Sequence, residues 1–471
     1  MEMEPSQKTM MEMTFKAEIV SEQLLPDDLL LEIVARCPTI ADAIRCAATS
    51  KPIRRGILNA GFLRGFLSRS CGGVDRDPCF PSLLLGMYHQ AEDPRLPPVF
   101  VPVANNANYP RSMTTALPPP PAPASNHNNT NECPCEFGPY WPVAFRRSLL
   151  VLRRKCKVGV ALQQHGRRAE SHGNHPAEFT VCNPTTGERW VLPRHDVDAM
   201  SQVLLDVDPL AGSFKLLVAK LTWSATLFVQ IFSTDSESGG GAWGPVLACH
   251  VSNSCTSFTE AADDKRPKPV IVDDTVHWLC YTKSESENGF LDCILTWRWH
   301  GDDGGGHVPH TTSFMKLPSR CRPGKGHTAC LAALPSSGAT SRPLLSVILV
   351  DPDTIVVWVR ADTGDNWSLR HRIHEKKIAR PLGLECPWLL DVEFPWFCEG
   401  SATVFLRERG KDTGPLLLSL DYKAPLFTQT QNSTAVSKLQ VQATGWDGWE
   451  PKFCPYEVDL LSYMLFMMKP F

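Results

Sequence analysis

Cysteine and histidine, the side chains best suited to hold a borderline metal ion, gather at two places in this chain. Cys133 and Cys135 form a Cys-Pro-Cys pair with His127 nearby. Structural zinc sites usually combine two ligand pairs, each with about two to four residues between its members. Here the spacer is one proline, a second cysteine pair is missing and the setting is low in complexity, so no metal is expected. The segment QQHGRRAESHGNH brings together His165, His172 and His175. Its polar composition reads as a solvated loop.

Catalytic signatures are equally sparse. The chain carries no His-Glu-x-x-His, Gly-x-Ser-x-Gly or P-loop, and no Gly-x-Gly-x-x-Gly between a strand and a helix. The glycines of SGGGAWG and DDGGGH lie between β-type runs, which makes them hairpin tips instead of phosphate cradles. With 17 Cys and 14 His, a Cys–His pair can be drawn almost anywhere and carries little information. The expected catalytic, cofactor and metal sets are therefore empty. The basic run RRSLLVLRRKCKVG (146–159) alternates with apolar residues and lacks an aromatic stacking platform, so it reads as a strand with charged flanks.

Bulk properties narrow the class further. A net charge of −3 gives no reason to expect nucleic acid or an anionic membrane as a partner. No apolar run approaches the roughly 18–20 residues of a membrane span. The most apolar tail, VDLLSYMLFMM (458–468), is short and suits a packed terminal strand or helix. The N-terminal MEMEPSQKTMMEMTFKAE has neither a basic nor an apolar signal region. The cysteines are accordingly expected to be reduced, in the cytoplasm, the nucleus or both. The 40 Pro speak for many turns and few long helices, and the 13 Trp for aromatic packing in a many-stranded core.

Two regions differ in hydrophobic period. Residues 1–20 are polar and expected to be disordered. Next comes a small helical unit over 21–70. Pro26 suits a first helical turn, because its missing N–H has no partner there. Asp27 and Asp28 meet the positive end of the helix dipole, and Leu29, Leu30, Ile33 and Val34 form a stripe. Pro38 ends that helix. A second helix is expected from about Ile40 to Ser50, stopped by Pro52, and a third from Ile53 to Leu67. A bundle this small is marginal alone and gains from a partner surface.

Residues 71–140 read as a connector holding a Pro/Asn-rich, low-complexity insert, PPPPAPASNHNNTNECPCE. From 141 to 471 the pattern is β throughout. Short apolar runs such as SFKLLVAKL, TLFVQIFST, TVHWLCY and LLSVILVD are separated by turn chemistry such as NPTTGE and DPDT. Strand pairs recurring every roughly 40–50 residues suit propeller blades. The expected fold is α+β and multidomain: a three-helix unit, then a large all-β, propeller-like domain.

The order of residues in LLPDDLLLEIVARCPTIADAIRCAATSKPIRR (24–55) strongly resembles an F-box. The Val181–Pro193 segment VCNPTTGERWVLP resembles a signature of propeller-like domains associated with F-boxes. TVHWLCY, WGPV and CPYEVDLLSYM resemble the C-terminal domain of the large F-box family expanded in grasses and other plants. The resemblance implies that Leu25, Pro26, Leu29 and Ile33, then Ile44, Ile53, Arg54, Ile57 and Leu58, dock on a Skp-family adaptor and through it on a cullin. It also implies that the β domain holds an unidentified target protein, as the substrate-recognition subunit of a ubiquitin ligase with no catalytic residue of its own. The alternatives are a non-degradative propeller scaffold and, further off, a propeller-type enzyme. Either would leave the turn role of Asn183 to Gly187 unchanged.

Overall fold

The computed structural model describes residues 26–37, 40–59, 61–62, 65–66, 82–89, 98–102, 136–157, 177–198, 201–208, 212–222, 224–235, 241–251, 255–257, 268–282, 290–299, 311–318, 328–335, 343–351, 353–361, 366–382, 392–408, 416–420, 436–438 and 453–459. The fold is mostly β, in a propeller-like arrangement of sheets, with few helices. The expected frayed N-terminus, the Pro/Asn-rich insert up to Cys135 and the three-histidine segment lie outside the described residues.

Three short helices come first: α1 (Asp27–Ala35), α2 (Ile40–Thr49) and α3 (Lys51–Ile57). Pro26 opens α1, its carbonyl accepting from the N–H of Leu29 and of Leu30. Ser50 caps α3, accepting from the Ile53 N–H, and Pro52 sits in that helix's first turn. Proline thus starts α3 as well as separating it from α2, because an N–H is dispensable there. Val34, Ala43, Ala47 and Ile57 form the buried side of the unit. Gly56 permits the closest approach: a Cβ there would sit 2.6 Å from a methyl of Leu31. The expected single third helix is interrupted after Ile57. Asn59 accepts from the Gly61 and Phe62 N–H groups, a cap that starts a new turn.

Each of five consecutive sheets is built by local antiparallel pairing. The closing sheet contributes β1 (Ser82–His89) and β2 (Val99–Pro102) from the chain start. The first full sheet is β3 (Glu136–Arg146), β4 (Leu149–Lys157), β5 (Ala177–Asn183) and β6 (Glu188–Val191). The second is β7 (Ser201–Asp208), β8 (Ser213–Leu221) and β9 (Thr226–Ser233), with β10 (Ala242–Trp243) and β11 (Leu247–His250) sharing its outer edge. In the third, β12 (Cys255–Ser257) and β13 (Val270–Val272) share one side of β14 (Thr275–Thr282), followed by β15 (Phe290–Arg298) and β16 (Thr312–Lys316). The fourth is β17 (Thr328–Pro335), β18 (Pro343–Val350), β19 (Thr354–Arg360) and β20 (Trp367–His374). Helix α4 (Glu375–Leu382) leads to the fifth: β21 (Val392–Cys398), β22 (Thr403–Glu408), β23 (Leu416–Ser419) and β24 (Val436–Lys438). Finally β25 (Phe453–Asp459) pairs antiparallel with β1, so the two ends of the β region share one sheet.

The apolar clusters show how these sheets stack. Alternate residues of one strand pack against opposite neighbours: Leu216 and Val218 of β8 join the first sheet, Leu217 and Ala219 the third. In β18, Leu345, Val347 and Leu349 face the third sheet, whereas Ile348 and Val350 face the fifth. A sheet buried on both faces needs nearly continuous apolar strands, which explains runs such as SFKLLVAKL. A further cluster joins β1 and β25 to β4 of the first sheet and to β21 and β22 of the fifth. Every sheet therefore shares a core with the next, around a closed ring.

That closure corrects the expected boundary. The stretch 71–140 is not solely a connector, because β1, β2 and the start of β3 lie within it. The apolar run SLLLGMYH is short and isolated from the other strands in sequence. Its partner, β25, lies at the far end of the chain. In the tail, strand structure covers Val458 and Asp459, and the rest falls outside the described residues.

Candidate docking face and the clasp between sheets

The residues that the F-box resemblance implicates divide by exposure. Leu29 and Ile33, one helical turn apart on α1, are each 50% exposed. Pro26 and Asp28 beside them are exposed as well. Large apolar side chains held half in water on one helix face are an incentive to associate. Completing the burial of each is worth about 1 kcal/mol, half of the usual value for a whole aliphatic side chain. The exposed Glu32–Arg36 pair, 2.8 Å apart, borders this face. Ile53, Arg54 and Leu58 on and after α3 are half-buried. Ile57 is fully buried and belongs to the interior of the unit, not to its surface. Leu25 lies outside the described residues, and Ile44 lies on α2 with its side chain outside the description.

The Val181–Pro193 segment is the β5–β6 hairpin. Asn183 ends β5 with its side chain turned onto its own loop, accepting from the N–H groups of Thr185 and Thr186 and from the Thr185 hydroxyl. Gly187 adopts φ +77° and donates to the Asn183 carbonyl at 2.8 Å. Only glycine takes that conformation freely, so the register is set by these residue types. Past the hairpin, the indole N–H of Trp243 donates to the Pro193 carbonyl at 2.8 Å, tying the second sheet to the first. Trp278 and Trp367 repeat this device. Trp278 Nε1 donates to Ser201 Oγ between the third and second sheets, and Trp367 Nε1 to the Lys316 carbonyl between the fourth and third. The Trp278 indole is buried and needs an acceptor, and in all three cases the acceptor belongs to the neighbouring sheet.

A charged cluster that sequence reasoning missed joins the closing sheet to its neighbours. The β3–β4 loop places Arg147 at φ 43° and Ser148 at φ 73°, the conformation usually taken by Asn-Gly. The closing strand holds it: the Ser148 N–H donates to the Glu457 carbonyl, and the Tyr456 hydroxyl donates to the Ser148 carbonyl at 3.1 Å. Arg146 donates to the carbonyls of Leu204 and Leu205, and Arg147 to that of Val207, all on β7. The buried Glu457 carboxyl accepts from the Gly400 and Ser401 N–H groups after β21, at 3.0 and 2.7 Å. Burial pushes its pKa up to about 6 despite those bonds, and nearby Glu399 adds to the rise. Glu399 keeps part of its surface open, but its carboxyl is enclosed. Burial raises its pKa, opposed by Arg146, by a backbone bond at Ile271 and by Arg147. Lys268 lies 4.5 Å over the Trp396 ring and donates weakly to the Val143 carbonyl. These bonds run from one sheet to another, so the cluster works as a clasp.

Among the described residues no group of three or more Cys, His, Asp or Glu is placed to hold a metal ion. Nine cysteines there are thiols and not disulfides, Cys182, Cys280, Cys293, Cys330, Cys398 and Cys454 among them being buried. Burial pushes the Cys182 and Cys330 thiols up to about 12. No described helix is long and apolar enough to cross a membrane.

A family model covers residues 134–471, from just before β3 to the end. The chain belongs to the DUF7595 family, a domain of unknown function. The family therefore takes in the five full sheets, α4 and β25, while β1, β2 and α1 to α3 lie before it. No curated protein matches the chain. Among solved structures, an ACO/RPE65 chimera aligns at 12% identity and TM-score 0.25, over 48% of this chain and 47% of that one. The N-terminal domain of Nup159 aligns at 11% identity and TM-score 0.24, over 57% and 62%. The GH93 α-L-arabinofuranosidase of Fusarium graminearum aligns at 4% identity and TM-score 0.23, over 59% and 88%. The chain thus spans about half to three-fifths of the first two, and likeness this low says nothing about its activity.

Proposed function

We propose that this chain is the substrate-recognition subunit of a Skp-cullin-F-box ubiquitin ligase. In this reading α1 to α3 dock on the Skp-family adaptor, and through it on a cullin, while the ring of sheets holds a target protein. The observation that carries the reading is the pair Leu29 and Ile33, half-exposed on one face of α1 directly after Pro26. The chain would supply no catalytic group. It would raise the concentration of the target's lysines beside a separate conjugating enzyme and orient them. A rigid closed ring presenting loops suits such a task. The workplace would be the cytoplasm, the nucleus or both.

Capture of the full chain by an immobilised Skp adaptor tests this. The parent is expected to bind, and Leu29→Asp/Ile33→Asp to lose binding while keeping its far-UV circular dichroism. Both substitutions lie on the exposed face, so folding is spared. A parent that is not captured, or a double variant captured equally well, overturns the proposal.

A further inference from the structure

Two thiols of the helical unit touch each other while remaining partly open to solvent. Cys37 follows Arg36, the residue that caps α1, and Cys46 lies on α2; both are half-buried. The Cys37 N–H donates to the Val34 carbonyl at 3.0 Å, and its thiol lies 3.9 Å from the Ile33 carbonyl, so the side chain is held over the last turn of α1. Cys46 shares one side of α2 with the buried Ala43 and Ala47, at the spacing of neighbouring turns. There the Cys37 thiol donates to the Cys46 sulfur. Burial, then Cys46 and Asp42, push the Cys37 thiol above its ordinary range, which keeps it the donor.

Other described thiols lack either the contact or the access. Cys280 and Cys293 stand opposite each other on β14 and β15, but they are 0% and 8% exposed. Cys398 and Cys454 neighbour each other at the clasp and are fully buried. Cys249 is half-buried, and the side chain it bonds is that of Trp297.

We propose that Cys37 and Cys46 form a reversible disulfide by exchange with a small-molecule disulfide such as oxidised glutathione, and that the bridge steadies the helical unit. Cys46 accepts the hydrogen bond, so the first attack falls to it. Its thiolate bonds to one sulfur of the small disulfide and expels the other half as a thiolate. Cys37 then gives up its proton and attacks the Cys46 sulfur, expelling the second half. The two protein thiols lose two electrons and two protons, and the small disulfide gains both to become two thiols. The bridge closes a loop of ten residues, 37 to 46. Restricting the unfolded chain in this way favours the folded unit by about a hundredfold. A bundle this small has little other stability to draw on. Neither step involves the adaptor, so the bridge and docking through α1 can fail independently.

The test incubates the full chain in glutathione buffers of rising oxidised-to-reduced ratio, alkylates the remaining thiols, digests with trypsin and weighs the peptides. Trypsin cuts after Arg36 and Arg45, so a bridge would hold the Cys37–Arg45 peptide to the one that begins at Cys46. That linked mass is expected to grow with the ratio and to vanish on adding dithiothreitol. In Cys37→Ser a glutathione adduct is expected to persist on Cys46, because no second thiol displaces it. Amide hydrogen exchange of residues 26–58 in the full chain is expected to slow by about a hundredfold on oxidation, for amides that exchange when the unit opens. Both thiols alkylated at every ratio, a lasting glutathione adduct on either in the parent, or a bridge from either to another cysteine overturns the proposal. A Cys37–Cys46 bridge that leaves exchange unchanged overturns the steadying role.

Discussion

Replacing Glu457 by Gln tests the clasp that closes the ring. Glu457 is 4% exposed, and its carboxyl pKa is pushed from 4.5 up to about 6, with burial the first cause. A carboxyl whose pKa is higher in the folded state holds its proton more tightly there than in the unfolded chain. Its ionisation therefore opposes folding. Stability is fully present below about pH 4.5, falls as pH rises through 6, and then levels off. A rise of about 1.5 units corresponds to about 2 kcal/mol at 1.36 kcal/mol per unit. Glutamine removes the ionisation but offers one acceptor oxygen to the two N–H groups, so one of those bonds is lost at every pH, a cost of about 1–3 kcal/mol. Denaturant unfolding followed by tryptophan fluorescence, on parent and variant from pH 4.5 to 8, is the assay. The variant is expected to be the less stable of the two at the acid end and to gain about 2 kcal/mol on the parent by the alkaline end. Comparing the two chains removes the effects of other groups. Glu399 shares the sign of Glu457. His277, lowered to about 3 by burial and then by Arg360, has the opposite sign and favours the fold above pH 6.5. A variant that loses ground to the parent as pH rises would show that the ionised carboxylate strengthens the clasp, and would refute the reasoning.

The β5–β6 turn provides a second test. A Cβ on Gly187 would meet nothing within 4 Å, so Gly187→Ala isolates the cost of φ +77°. A loss of about 1 kcal/mol in unfolding free energy is expected for Ala, and clearly less for Asn. Trp278→Phe removes the indole bond to Ser201 Oγ between the third and second sheets. A loss of about 1–2 kcal/mol is expected, partly recovered by adding Ser201→Ala, which removes the unpaired hydroxyl; a double-mutant cycle measures the recovery.

Local features of this chain were legible before its structure. Asn183 to Gly187 specify their hairpin through side-chain and backbone chemistry confined to a few residues. Strand existence was legible in runs such as SFKLLVAKL because burial on both faces demands apolar residues at every position. The stop after Ile57 was missed because Asn59 caps a new turn inside a pattern that keeps helical spacing. The strands β1 and β2 were missed because they are short and the sheet they form is completed by β25, at the other end of the sequence. Of the implicated docking residues, spacing alone could not separate Leu29 and Ile33 from the buried Ile57, since exposure depends on what packs behind each one.

The sequence by itself determined the two hydrophobic periods, the turns between strands, the absence of familiar catalytic motifs and the order of residues that resembles an F-box. All of these depend on neighbours within a few positions. Only the tertiary structure decided that the ring closes through β1 and β25. It likewise decided that Glu457, Ser148 and Ser401 meet at one junction. Those facts rest on contacts between residues hundreds of positions apart, such as Tyr456 with Ser148. Contacts of that length leave no periodic trace in the chain, because the entropy of bringing the ends together is offset only when the whole ring packs at once.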